Sequence, residues 1–197
     1  AGDVSSRGQE FEIQNFLHWM AGLDYEYKIF IAGNHDFYFE RTSEAEILRQ
    51  IPKGITYLCD SGITINGINI WGSPITPFFF NWAFNRKRGA EIRQHWSLIP
   101  PNTDVLITHG PPVGILDFTQ NGQHAGCEDL LVKIEEVKPK VHIFGHIHEG
   151  YGDITIASSS TITVNSTGSG GVAVGIRANS YDGSDMSVSN SGTILAN

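Results

Sequence analysis

The chain has 197 residues, with 13 Lys and Arg against 21 Asp and Glu, for a formal net charge of −8. Its 40% hydrophobic and 17% charged content fits one globular domain, with or without an appendage, and excludes disordered and coiled-coil classes. The negative charge argues against nucleic-acid or anionic-membrane partners, no apolar run reaches the ~18 residues of a spanning helix, and two cysteines are too few for a disulfide framework or zinc ribbon.

Ile13, Phe16, Leu17 and Met20 recur at i, i+3, i+4 and i+7, which predicts an amphipathic helix over about residues 10–23. The apolar run at 27–32 (YKIFIA) predicts a buried strand ending at Gly33. Residues 43–50 read as a short helix, with Ser43 as cap and Glu46 completing a capping box. Asn66-Gly67 between two Ile-x-Ile segments predicts a hairpin with a type I′ turn. Then follow a helix over 89–98, a buried strand over 104–108, a helix over 126–137 and a buried strand over 141–144. Strands that end in polar, Gly-containing loops with helices between them indicate an α/β sheet bearing functional groups at its strand ends.

After Gly152 the composition changes. Residues 153–197 are rich in Ser, Thr, Gly and Asn, have Tyr181 as their one aromatic, and contain no Lys, Glu, Pro or His. Val164-Asn-Ser-Thr-Gly168 is echoed 24 residues later by Val188-Ser-Asn-Ser-Gly192. The expectation is a domain over 1–152 and a β-helix-like or flexible tail over 153–197.

Four clusters hold candidate metal ligands: Gly2-Asp3 with Gly8, Gly33-Asn34-His35-Asp36, His109-Gly110-Pro111-Pro112, and Gly145-His146-Ile147-His148. One Gly-Asp or one His at a strand end is ordinary turn chemistry. Four such clusters in order deliver ligand-type residues to one sheet edge. Asp and Asn oxygens mixed with imidazoles, without a thiolate, favour Mn²⁺, Fe or Zn²⁺ over a structural cysteine site.

As an ordered set, GD-x4-G, GNHD, the His after a buried strand, and GHxH resemble the calcineurin-like metallophosphoesterases. The segments YEYKIFIAGNH, WGSP, WAFN, LITHGPP and HIFGHIHEGYG are most similar to that family's brain-type metallophosphoesterase-domain subgroup. The resemblance covers residues 1 to about 152. It implies a four-layer α/β/β/α sandwich, here lacking its first strand and followed by the Ser/Thr/Gly-rich β-type tail, which resembles autotransporter text. It implies hydrolysis of phosphate esters, with phosphodiesters such as cyclic nucleotides as the expected substrates and a metal-bridging hydroxide as attacking group. Asp3 would bridge two divalent transition metals (Mn, Fe or Zn), Asn34, His109 and His146 would complete one site, and His148 would serve the other. His35 would contact phosphate or protonate the leaving oxygen, with Asp36 orienting its ring. His18, His95, His124 and His142 match no family ligand and are read as structural or solvent-facing.

The family's Asp-x-His motif would precede Ala1, so the resemblance implies a fragment joined to foreign text near Gly152. At most one bound ion and weak turnover are then expected. Two other readings stand beside the hydrolase: a metal- or nucleotide-binding remnant, and a β-helical surface fragment. No secretory pattern opens the chain at Ala1, so the expected location is cytoplasmic.

Overall fold

The structure, a computed structural model, describes residues 1–148 and the backbone of three short strands beyond them. In chain order the elements are α1 (Glu10–Ala21), β1 (Lys28–Phe30), α2 (Phe37–Arg41), α3 (Glu44–Gln50), β2 (Ile55–Tyr57), β3 (Ser61–Ile65), β4 (Ile68–Ser73), β5 (Thr76–Pro77) and β6 (Asn85–Arg86). They continue with α4 (Ala90–Trp96), β7 (Val105–Thr108), α5 (Glu128–Val137), β8 (Val141–Phe144), β9 (Thr161–Ile162), β10 (Gly175–Ala178) and β11 (Ser187–Val188).

Helix α1 buries Ile13, Leu17 and Met20, as their spacing predicts. Its start is tied to the preceding loop by Glu12, whose carboxylate accepts the N–H groups of Ser6, Arg7 and Gln9 at 3.0, 3.2 and 2.9 Å. The Asn66-Gly67 turn forms as predicted: φ is 51° and 80°, and Ile65 pairs with Ile68. The expected capping box of α3 does not form. Ser43 makes no side-chain cap hydrogen bond, and its carbonyl instead closes the turn by accepting from Glu46 and Ile47 N–H, each at 3.0 Å. Helix α2 and strands β2, β5 and β6 escaped prediction, since segments of two to five residues carry no readable period.

Strands β4, β7 and β8 run parallel and are joined through α4 and α5, the crossover geometry that parallel neighbours require. The five-stranded sheet has the order β10-β8-β7-β4-β3, with β3 and β10 antiparallel at its edges. A second, two-stranded sheet pairs β1 with β2 in parallel. The core is one continuous cluster in which Leu17, Phe30, Leu106, Ile92, Trp96 and Ile134 join the helices to both sheets.

Register places the functional ends. Leu106 pairs with His142 and Ile107 with Ile143, and the Gly145 N–H donates to the His109 carbonyl at 2.9 Å. His109 and His146 therefore leave the sheet along the same edge. Except for the backbone of β9–β11, the tail expectation lies outside the described residues. There β10 pairs antiparallel with β8, and β9 pairs in parallel with β11. Among the described residues no helix is long and apolar enough to cross a membrane.

The sheets approach each other at Gly72 of β4. A Cβ there would stand 2.5 Å from Leu58 Cβ and 2.7 Å from Ile31 Cγ2. Overpacking a filled interior costs ~1–3 kcal/mol. Gly72→Ala should lower unfolding free energy by about that amount in urea titration, and an unchanged midpoint would show that the sheets have slack there.

Candidate metal centre

Strand β1 leads into Gly33-Asn34-His35-Asp36, and the loop at Gly2–Gly8 packs against it. What joins them is Asp36, wholly buried, whose carboxylate accepts from Val4 N–H (3.1 Å), Ser5 N–H (2.8 Å), Ser5 Oγ–H (2.6 Å) and Gly33 N–H (2.7 Å). Burial pushes the Asp36 carboxyl up, and the bonds from Ser5, Gly33 and Val4 pull it back. The His35 N–H then donates to Asp3 Oδ1 at 3.0 Å and aims the Asp3 side chain. Gly33 leaves the space for this: a Cβ there would collide with Asp3 N and Oδ1 and with the His109 ring. Asp3 and His146 both take left-handed backbone, at φ 54° and 74°, a strain of ~1–3 kcal/mol each that the surrounding bonds hold.

Asn34 and His109 are 4% and 1% exposed. His109 Nδ1 donates to the Ala1 carbonyl at 2.7 Å, so a neutral His109 carries a lone pair on Nε2. That lone pair faces Asn34 Oδ1 at 2.8 Å and Asp3 Oδ2 at 3.4 Å. Asn34 Oδ1 also lies 2.9 Å from His146 Nδ1. Ligand-type atoms thus converge on one point in a buried place, where a metal ion could replace the hydrogen bonds between the Asn34 amide and the two imidazoles. The donor set suits the ion. Asp3, His109 and His146 each offer an atom within 4.8 Å of the others, and Asn34 adds an amide oxygen. Behind His109, Thr108 Oγ1 donates to the Gly110 carbonyl at 2.8 Å and meets His142 Nε2 at 2.8 Å, fixing the end of β7.

Burial raises the Asp3 carboxyl, but the hydrogen bond and charge of His109 and the His35 N–H outweigh it and hold the group at about 2. Burial, with the His109 charge, drives His146 down to about 3. At neutral pH the site therefore offers a carboxylate and a neutral imidazole, the forms a metal needs.

The profile described as calcineurin-like phosphoesterase matches residues 1–150. The chain belongs to that family. Metallophosphoesterase domain-containing protein 1 of Homo sapiens is 39% identical over 190 residues, spanning 85% of this chain and 58% of that protein. UPF0046 protein T07D4.2 of Caenorhabditis elegans is 40% identical over 183 residues, spanning 79% of this chain and 46% of that protein. The chain thus spans about half the length of these relatives. One crystal structure shares the fold at a TM-score of 0.51 and 21% identity, covering 72% of this chain and 58% of the other. The family's chemistry is metal-dependent hydrolysis of phosphate esters.

Of the sequence-predicted site residues in this phosphoesterase domain, the structure brings Asp3, Asn34, His109 and His146 together. His148 is exposed; it lines a cleft of about 20 Å³ shared with Gly2, Asp3, His109 and His146, but stands outside the tight ligand group. That cleft has room for one water-sized occupant. Asp36 differs from expectation. Its carboxylate is spent on the backbone of residues 4, 5 and 33 and on Ser5 Oγ, and the His35 ring is held instead by the Ser6 carbonyl, 2.9 Å from Nδ1, and by Trp82. Sequence reasoning missed Ser5, Ser6 and Trp82 as builders of the site. Only the WAFN segment offered a signal, and it named no role.

The depressed His146 pKa sets an acid limit on the metal-free fold. An unfolded chain binds this proton below pH 6.5 and the folded chain only near 3, so stability is full above 6.5 and falls as pH drops. Asp3, lowered from 3.8 to about 2, adds a further loss below 3.8. His146→Asn should flatten the dependence between pH 6.5 and about 4 by up to ~1.4 kcal/mol per pH unit. Urea midpoints across that range measure the slope, and an unchanged slope would place the acid sensitivity elsewhere.

Proposed function

We propose that this domain hydrolyses phosphodiesters, small diesters and cyclic nucleotides among them, with Asp3, Asn34, His109 and His146 holding one divalent transition metal (Mn, Fe or Zn) and His148 beside it. The observation that carries the reading is the convergence of the His109 Nε2 lone pair, Asn34 Oδ1 and the Asp3 carboxylate on one buried point. When bound, a metal there supplies Lewis acidity toward a phosphoryl oxygen and lowers the pKa of water.

The chain's own groups do the rest. Asp3 stays ionised and His146 neutral at working pH, so both hold the metal without a proton to displace. The His35 Nδ1 donates to the Ser6 carbonyl, which leaves Nε2 uncommitted; in its imidazolium form, protonated on both nitrogens, the ring would donate from Nε2 to a phosphate oxygen or give that proton to the departing alkoxide and become neutral. The His35 backbone N–H is bonded to Asp3 Oδ1 at 3.0 Å, which seats His35 beside the candidate metal ligands. Asp36 acts one step back, keeping the Asp3 loop seated on the end of β1.

Metal content and bis-aryl phosphate hydrolysis separate these roles. Wild type should hold about one ion per chain, the count of a single closed ligand group. His109→Ala should empty the site and abolish turnover. His35→Ala should keep the ion and lose ~10²–10⁴ in kcat, the usual worth of a positioned proton donor. Metal retained without hydrolysis in wild type would favour the binding remnant, and equal metal loss in both variants would refute the division of roles.

A further inference from the structure

We infer that Trp82 is a positioning residue for His35, and that the β5–β6 loop is a brace built to deliver it; this rests on the role given to His35 above. The indole lies against the His35 imidazole with centroids 4.4 Å apart at 37°, and against Phe37 at 6.1 Å. Among the described residues, the other constraint on the His35 ring is the Ser6 carbonyl, which belongs to an exposed loop residue. A histidine held at Nδ1 alone can swing about its first torsion. An aromatic wall on one face restricts that freedom and leaves Nε2 without a hydrogen bond among the described residues.

The loop is fastened on every side. Ala83 N–H donates to the carbonyl of Asn34, itself a metal-ligand candidate, at 3.1 Å. Phe84 N–H donates to Glu40 Oε1 at 2.8 Å, Thr76 N–H to the Phe84 carbonyl at 3.1 Å, and Phe78 N–H to the Arg86 carbonyl at 2.8 Å. The Asn85 amide ties down the Phe79 and Phe80 carbonyls at 3.0 and 3.2 Å, and Arg86 Nε reaches His95 Nε2 at 3.1 Å. Phe80 and Phe84 take left-handed backbone, φ 50° and 58°, a conformation bulky residues adopt only when the surroundings dictate it. A loop with strain at two phenylalanines and a bond to the Asn34 backbone has its geometry set by the site rather than by its own preferences. Trp82 is the residue that this geometry presents to His35.

The test uses the full chain with Trp82→Leu, which keeps apolar bulk against Phe37 and removes the ring, and Trp82→Phe as the conservative rescue. In proton NMR without added metal, the His35 ring resonance, assigned by its loss in His35→Gln, should sit upfield in wild type under the indole. It should move downfield in Trp82→Leu and partly return in Trp82→Phe. In Mn²⁺-supported diester hydrolysis, Trp82→Leu should lower kcat by about ten- to hundredfold with little change in KM, as misplacement of a reacting group does. In a His35→Gln background the same substitution should cost nothing further. An unmoved His35 resonance, or an equal loss from Trp82→Leu with and without His35, overturns the inference. Absence of hydrolysis in wild type would sink the functional reading alone, and the resonance would still decide whether Trp82 holds the ring.

Discussion

Everything at the site hangs from one buried carboxylate. Asp36 has no contact with solvent, and its two oxygens accept from Val4, Ser5 and Gly33, which stitches the Gly2–Gly8 loop to the end of β1. Burying an unpaired carboxylate is prohibitive, so those four donors are a condition of folding as much as a consequence of it. Once they are in place, Asp3 has little choice of position. The loop that carries it is held by Asp36 on one side and, through Glu12, by the first turn of α1 on the other.

The second constraint is electrostatic. His109 commits its Nδ1 proton to a carbonyl, and β7 pushes its Nε2 into a pocket already furnished with Asn34 and Asp3 oxygens. These groups crowd several ligand-type atoms onto one point, with the Asn34 amide between the two imidazoles. The fold accepts that crowding at a place where parallel strands end together, which is where an open α/β sheet gathers polar groups without disturbing its core. Gly33 shows how tight the bargain is: any side chain at that position would occupy the space of Asp3 and His109.

The long periodic elements were legible because their signals are repeated. Three buried positions define α1, and the Asn-Gly turn admits essentially one hairpin. The candidate ligands Asp3, Asn34, His109 and His146 were legible for another reason: residue types with strong chemistry recur beside glycines in an ordered set of clusters. What failed was pairing. Ser43 and Glu46 have the spacing of a capping box, yet backbone bonds already satisfy that turn. Asp36 adjoins His35 in sequence, and the family resemblance implied that it orients the ring. In a tight turn, neighbouring side chains point apart, and the Asp36 carboxylate turns inward to the backbone while the imidazole goes outward to Ser6 and Trp82. Trp82 was invisible as a site residue because nothing in a linear text says that a loop 47 residues later returns to His35.

The site also divides by rigidity. Asn34 and His109 are buried at strand ends, where a small displacement would break packing on both sides of the sheet. The His35 ring is half-buried and His148 exposed, so these side chains are less confined than Asn34 and His109. A metal ligand needs fixed geometry, because its affinity comes from several donors meeting one point. A group proposed to meet the phosphate needs room to follow an oxygen that leaves as the bond to phosphorus lengthens. The Ser6 carbonyl takes the His35 Nδ1 proton, and the Trp82 face limits the ring's travel without bonding to it. A wall of that kind confines the ring while leaving Nε2 uncommitted, which a second hydrogen bond could not do.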